Sequence, residues 1–574
     1  MSRQPSDMSH ERRKRCVTPL SLILLLLGSL WVSLLATICI TTGELKPRGT
    51  YVSENALMPG SALTDVNGID MEQRSFPSSS DFGDLGFFGL KGVILRSATA
   101  SDRREAICVV AQEGRGDDVL YALSHALHRA KWLSKDVLFV LLPKNEIFST
   151  DTSATPLLRR WLETYEMSAH DDKIARGGPI RGAVIIDIPH IGGRKGETPF
   201  SRESILVQGM NGRLPNMDLI NVARITVPSY ANGRQSFFAS EQDDTDSKSL
   251  QGLRFARDVL LGPTGWHGEF LRLGVDALTL KASNSSIGMV KPGTGGTTRL
   301  EFAQRIEKMV RSLSNIGEKL NRSFFFYLML GTDSFVSIDE FLWALIVFVS
   351  PLVVDALFVA AAPNDNGFKE TRRALASLGL AVLSGLALLI VIEDVPLPAP
   401  VAWLLTLILY ALWERFAALR RLGKEEQEPS SAVEDETETA TVERLPFWRY
   451  KKTANEVYVF ISLAALGVVH FPLAMFAAIL CFPSTRLALA MPWNGSTMDK
   501  TAFGFVQLGF FGVLYVLLGY QAQIPLGVGF NRVDLKTAVL YLVVLPSYML
   551  TLSIFWSPPE TSGLKKTKGS LKQD

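Results

Sequence analysis

Ile107-Cys108-Val109-Val110, then a turn of Gly114, Gly116, Asp117 and Asp118, then Val119, Leu120, Leu123, Ala126, Leu127 and Ala130, then Val137-Leu138-Phe139-Val140-Leu141-Leu142: this stretch decides the fold. Two short apolar runs flank a segment whose apolar residues recur with a period near 3.6, which is the pattern strand, helix, strand. A third run, Ala183-Val184-Ile185-Ile186, ends in Asp187, and a fourth spans Val275 to Leu280. Continuous apolar runs alternating with helices predict an α/β domain with a mostly parallel sheet and helices on both faces. In such sheets functional groups gather where strands end, and here those ends carry Glu113, Glu146 and Asp187.

Working outward, the middle of the chain has ordinary polarity and the two ends are apolar. A net charge of +2 on 574 residues implies no general attraction to nucleic acid. The four cysteines, Cys16, Cys39, Cys108 and Cys481, contain no CxxC pair, so they support neither a disulfide framework nor a thiolate zinc site. The acidic run between Arg234 and Lys248 reads as a solvated loop. The glycines at 293–296 lack the Lys-Ser/Thr of a phosphate-binding loop, and no Gly-x-Ser-x-Gly elbow occurs. From Thr298 to Phe326 the pattern is helical, and this helix is expected to lead down to the membrane.

Residues 1–17 form a basic tail with Arg12, Arg13, Lys14 and Arg15, and 18–41 read as an uncleaved signal-anchor. That apolar run is longer than a signal-peptide core. Basic flanks stay in the cytosol, so residues 43–335 are expected in the lumen. Residues 336–556 read as a multi-span α-helical bundle, with spans near 338–361, 374–392, 395–416, 455–481, 503–525 and 534–556. A charged cytosolic loop at 417–453 and a polar tail at 557–574 complete the layout. The sequons at Asn284, Asn321 and Asn494 all fall on the expected lumenal side and are the N-glycosylation candidates. Within the spans, Asp355, His470 and Pro546 are candidate lipid contacts. A mid-bilayer carboxylate must face protein or water, and proline frees a backbone carbonyl.

The order of the α/β domain resembles the co-catalytic zinc aminopeptidases. Matched residue by residue, Asp118 stands where their helix-opening Asp would be, Glu146 where their Glu pair lies, Asp187 at the strand-end Asp and His267 at the late His. The early His-x-Asp is absent, the chain reading Ala111-Gln112-Glu113, and Asn145 replaces the first Glu of the pair. The resemblance therefore implies a vestigial site without a working metal pair. A single zinc at Asp118, Asp187 and His267 is the alternative, since three ligands with an open position is sound chemistry.

Four further stretches converge on one family: Gly89–Arg96, Gln208–Leu219, Gly265–Gly268 running into Phe270-Leu271-Arg272, and Asn321–Leu328 running into Phe335–Ile338. Together with the one-plus-six span layout they resemble the anchor-attachment subunit of the glycosylphosphatidylinositol (GPI) transamidase. Asp339-Glu340 depart from the boundary motif of that family. The resemblance implies a multi-pass protein of the endoplasmic reticulum membrane, without a cofactor and not an enzyme by itself. Such a subunit brings GPI lipid and precursor proteins bearing C-terminal GPI signals to a caspase-like cysteine protease subunit. Two other classes are a metal-dependent enzyme that makes or breaks peptide bonds in the lumenal domain, and a transporter using Asp355. The second lacks the internal repeat that transporters show.

Overall fold

The computed structural model describes residues 5–35, 48–49, 83–85, 89–97, 105–128, 130–146, 148, 156–167, 176–188, 202–209, 213–226, 235–236, 263, 265–283, 299–315, 327–329, 334–360, 367–394, 406–410, 412–413, 416, 447–490 and 538–556. Two compact units emerge, one of residues 33–341 and one of residues 1–32 with 342–574.

The first unit is α/β. Its strands are β1 (Arg48–Gly49), β2 (Gly83–Asp84), β3 (Lys91–Leu95), β4 (Ala106–Gln112), β5 (Asp136–Leu142), β6 (Ile180–Asp187), β7 (Arg202–Leu206), β8 (Gln235–Ser236), β9 (Asp276–Ser283), β10 (Tyr327–Met329) and β11 (Ser334–Ser337). Eight of them form one sheet in the order β2-β3-β5-β4-β6-β9-β7-β8, and β1-β11-β10 form a small second sheet. The expected runs are the four central strands: β5, β4, β6 and β9 are mutually parallel. The sheet as a whole is mixed: four of its seven neighbouring pairs are parallel, β7–β8 among them, while β3 runs antiparallel to β2 and β5, and β7 antiparallel to β9.

The central strands read as unbroken apolar runs because both of their faces are covered. On one face Ile107, Val109, Val137, Phe139, Val184 and Ile186 pack against α2 (Asp117–His128), α4 (Met217–Thr226) and α6 (Arg299–Asn315). On the other, Cys108, Val110, Leu138, Val140, Ala183 and Ile185 meet α3 (Leu157–Met167) and the short α5 (His267–Arg272), through Trp161 and Phe270. Each such aliphatic side chain contributes roughly 1.5–3 kcal/mol when fully buried. Of the helix expected over Thr298–Phe326, Arg299–Asn315 is helical, with Phe302, Ile306, Val310 and Leu313 in the sheet core; residues 316–326 lie outside the described residues, and Tyr327 opens β10.

The second unit is helical. Its elements are α1 (Pro5–Leu34), α7 (Ile338–Ala360), α8 (Gly367–Asp394), α9 (Phe447–Val469), α10 (Phe471–Ala490), a π turn (Leu540–Val544) and α11 (Leu545–Trp556). Among the described residues two helical stretches are long and apolar enough to cross a bilayer, Phe368–Ile390 and Phe447–Val469. Shorter apolar helices occupy Leu20–Leu34, Phe471–Phe482 and Leu540–Thr551. The expected span at 503–525, most of that at 395–416, and Asn284, Asn321 and Asn494 lie outside the described residues. The single span expected at 455–481 is two helices. His470 separates them, its Nδ1 accepts the N–H of Leu473 at 3.1 Å, and Pro472 sits in the first turn of α10, where its missing N–H is tolerated. The two helices pack against each other on either side of that break.

Candidate functional site

The four central strands deliver their C-terminal ends to one edge of the sheet. β4 pairs with β5 on one side and β6 on the other, and that divergence is the topological switch point where open α/β sheets form a crevice. Each of the four candidate ligands of the first unit, Asp118, Glu146, Asp187 and His267, has a defined partner there or behind it.

Directly after β4, Gly116 takes φ +98°, a left-handed conformation that only glycine adopts without strain. A Cβ at this position would lie 2.5 Å from Ile186 Cγ2, so glycine also permits the turn to sit against β6. The turn aims Arg115 across the switch point, and its Nη2 meets Asp187 Oδ1 at 2.7 Å. At the start of α2, Asp118 is paired with Arg299 at the start of α6. Asp117 and Asp118 both stand in the first turn of α2, where the helix dipole favours negative charge. Lys91 of β3 reaches Glu113 at 3.5 Å.

Glu146 points elsewhere. Its Oε1 accepts the N–H of Leu157 at 2.5 Å, so it caps α3 from a remote loop. That loop is itself tied to the end of β4: Gln112 Nε2 donates to the carbonyls of Pro143 (3.2 Å), Lys144 (3.3 Å) and Glu146 (2.5 Å).

His267 is fully buried. Its Nε2 lies 2.9 Å from the Gln208 carbonyl and its Nδ1 2.8 Å from Thr279 Oγ1. A carbonyl only accepts, so Nε2 carries the proton and Nδ1 accepts from the threonine hydroxyl. Burial lowers its pKa to about 4, opposed by the bond to Gln208. The imidazole is therefore a neutral strut joining α5, β9 and the segment after β7. Two residues on, Glu269 is held by Arg159 of α3, and that bond raises the arginine's pKa. Cys108 lies wholly inside the sheet, where burial, and secondarily Glu166, push its thiol up and away from nucleophilic use.

These residues do not fit a metal. Arg115 and Arg299 already place positive charge on Asp187 and Asp118, Glu146 caps a helix, and both nitrogens of His267 are engaged. Among the described residues no three His, Cys, Asp or Glu side chains gather as a metal-binding group. The partners that make this so had no local signal. Arg299 is 181 residues from Asp118, and Arg159 is 110 residues from Glu269.

In the helical unit, His470 caps α10, as described above. Pro546 lies in the first turn of α11, and the carbonyl of Leu542, in the π turn before it, accepts a hydrogen bond from the Tyr458 hydroxyl of α9. Asp355 falls on α7, with its side chain outside the described ones.

An α/β unit with ion pairs at its switch point and a unit of apolar helices, two of whose stretches are long and apolar enough to cross a bilayer, define the class of protein: an α/β domain and apolar helices on one chain. The chain belongs to the Gaa1-like, GPI transamidase component family, whose model matches residues 94–571. It is 28% identical over 339 residues to the GPI transamidase component GAA1 of Saccharomyces cerevisiae, covering 51% of this chain and 50% of that protein. It is also 28% identical over 158 residues to GPI transamidase component gaa1 of Schizosaccharomyces pombe, covering 26% of each. The chain thus spans half or less of the length of the curated relatives it matches. Among solved structures it is similar to the Legionella pneumophila LapA aminopeptidase, with 9% identity, a TM-score of 0.24, and coverage of 42% of this chain and 62% of that one. It is also similar to a zinc aminopeptidase from Bacillus subtilis, with 11% identity, a TM-score of 0.21, and coverage of 39% and 48%.

Proposed function

We propose that this chain is the substrate-organising subunit of a GPI transamidase, holding GPI lipid and precursor protein for a partner that performs the bond exchange. The reading rests on the family match, which extends over both the α/β unit and the apolar helices. The partner is a caspase-like cysteine protease subunit, and the precursor carries a C-terminal GPI signal. The protein resides in the endoplasmic reticulum membrane with a cytosolic N-terminus. Residues 43–335 face the lumen, residues 336–556 cross the membrane several times, and the sequons at Asn284, Asn321 and Asn494 are the candidates for lumenal glycosylation. Positioning two substrates accelerates their reaction without a reacting group on the positioning subunit. The switch-point side chains support this reading, because each candidate ligand is committed to an arginine, a helix end or a buried hydrogen bond.

The test is a rescue experiment in cells lacking the subunit. They receive wild type or the triple variant Asp118→Asn/Asp187→Asn/Glu146→Gln, and a GPI-anchored reporter is counted at the cell surface at matched expression. A substrate-organising role predicts that both restore the reporter to similar levels. A triple variant that assembles with its partners yet leaves the surface bare would place chemistry in the crevice and overturn the proposal.

A further inference from the structure

Two helices flank the α/β unit in sequence, α1 before it and α7 after it, and the chain meets itself at both elements. Within the α/β unit, β1 is the first described strand after α1 and β11 the last before α7. The two pair antiparallel, Arg48 opposite Phe335 and Gly49 opposite Ser334, and Ser337 of β11 is followed directly by Ile338 of α7. Within the helical unit, a Cβ at Gly28 of α1 would collide with the Phe348 Cα of α7 and would lie 2.5 Å from its backbone nitrogen. Main chain rests against main chain there, an approach that the absence of a side chain permits.

The contact selects one face of α1. Ser21, Gly28 and Leu35 are buried and seven residues apart, the spacing of a helix–helix seam. The indole nitrogen of Trp31, one turn beyond Gly28, is buried as well. Leu22, Ile23, Leu26, Leu27 and Leu30, on the rest of the helix surface, are more than half exposed. A helix whose whole task is to sit in lipid has no reason to bury a stripe of this kind. Apolar side chains gain little by leaving lipid for another helix, so membrane helices associate where small residues let backbones approach. Nor is α7 free to retreat. The Phe348 ring lies 5.5 Å from that of Phe482 on α10, and Leu345, one turn earlier, occupies the place where a Cβ of Gly467 on α9 would stand. Gly379 of α8 is the contrast, since an added Cβ there meets nothing within 4 Å.

We propose that α1 is a seated member of the helical unit, docked on α7 through its Ser21–Gly28–Leu35 face, and not a tether that only holds the chain at a bilayer. α1 and β1 together form the partner of the β11–α7 run. The α/β unit is thus an insert between paired elements, and α1 belongs to the finished fold.

The test cuts the covalent link and asks whether α1 stays. A site for a sequence-specific protease is placed between residues 36 and 47, ahead of β1, in the full-length chain with an affinity tag at its N-terminus. The protein is solubilised in a mild detergent, cut to completion and captured by the tag, and the fraction of the remaining chain that follows α1 is measured. In wild type most of the chain should stay bound. Gly28→Leu should lower the bound fraction about fivefold or more, the scale of an interhelical contact in a membrane. Leu26→Phe, which adds bulk on the exposed face, should leave it within about twofold of wild type, because lipid accommodates the larger ring. The proposal is overturned if wild type falls apart on cutting, if Gly28→Leu keeps as much chain bound as wild type, or if Leu26→Phe releases as much as Gly28→Leu.

Discussion

The guanidinium of Arg159 grips the carboxylate of Glu269 through two hydrogen bonds, Nε to Oε2 at 2.6 Å and Nη2 to Oε1 at 2.8 Å. The pair ties α3 to α5 beneath the sheet, with the glutamate side chain only 3% exposed. Removing one member strands the other charge in a medium that cannot hydrate it, which costs about 3–5 kcal/mol. Glu269→Ala and Arg159→Ala should each lower the unfolding midpoint of the full-length protein strongly. The double replacement Arg159→Met/Glu269→Leu should recover most of the loss, because an apolar pair of similar volume leaves no buried charge. Equal losses in single and double variants would mean that packing, not charge compensation, dominates.

His267 gives the fold a pH dependence of known sign. Its pKa is depressed by burial to about 4, against 6.5 for the free imidazole. Between those values the unfolded chain binds a proton that the folded chain refuses, so stability rises with pH across the window. It is fully present above about 6.5, falls as pH drops toward 4, and levels off below. The shift corresponds to roughly 3 kcal/mol at about 1.4 kcal/mol per unit. Denaturant titrations at pH 7.5 and 4.5 should show this loss in wild type and a smaller one in His267→Asn. A variant with the same pH dependence as wild type would assign the effect to other groups.

The central strands were legible because burial on both faces writes itself as an unbroken apolar run, and α2 because its buried residues repeat with helical period. The outer strands were not. β3 mixes buried and half-buried residues without strict alternation over only five positions, and its antiparallel pairing with β5 joins segments more than forty residues apart. At the site, Asp118, Glu146, Asp187 and His267 stood out by residue type. Their tasks were hidden because the partners Arg299, Leu157, Arg115 and Thr279 are set by tertiary packing. The break at His470 carried a local sign, a histidine two residues before Pro472, masked by the apolar residues on both sides.

Glu146 separates capping from chemistry by a conservative change. Its Oε1 accepts the N–H of Leu157, and a glutamine oxygen can do the same. Glu146→Gln should therefore leave both stability and reporter rescue near wild type. Glu146→Ala should lose about 1 kcal/mol, the usual cost of a missing helix cap. A carboxylate that bound metal or moved protons would instead show loss of rescue in the glutamine variant with no change in melting.

Gly116 is the position where a single methyl group should disturb the whole switch point. Its φ of +98° penalises any L-residue with a Cβ, and that Cβ would meet Ile186 Cγ2 at 2.5 Å, inside the β6 strand that ends in Asp187. Left-handed backbone costs about 1–2 kcal/mol and overpacking about 1–3 kcal/mol, so Gly116→Ala should destabilise by about 2 kcal/mol or more. Relief requires the turn to back away from β6, which carries Arg115 off Asp187 and loosens the start of α2. By contrast Gly114→Ala, whose added methyl meets nothing within 4 Å, shares the positive φ of +78° and should show the backbone penalty alone. Thermal melts of the two variants beside Arg115→Ala would apportion the loss. Arg115 is half exposed, so its ion pair contributes at most about 1 kcal/mol, and Gly116→Ala should exceed it clearly. If Gly116→Ala melts no lower than Gly114→Ala, the contact with Ile186 is not limiting and the turn has room to shift without disturbing the strand ends.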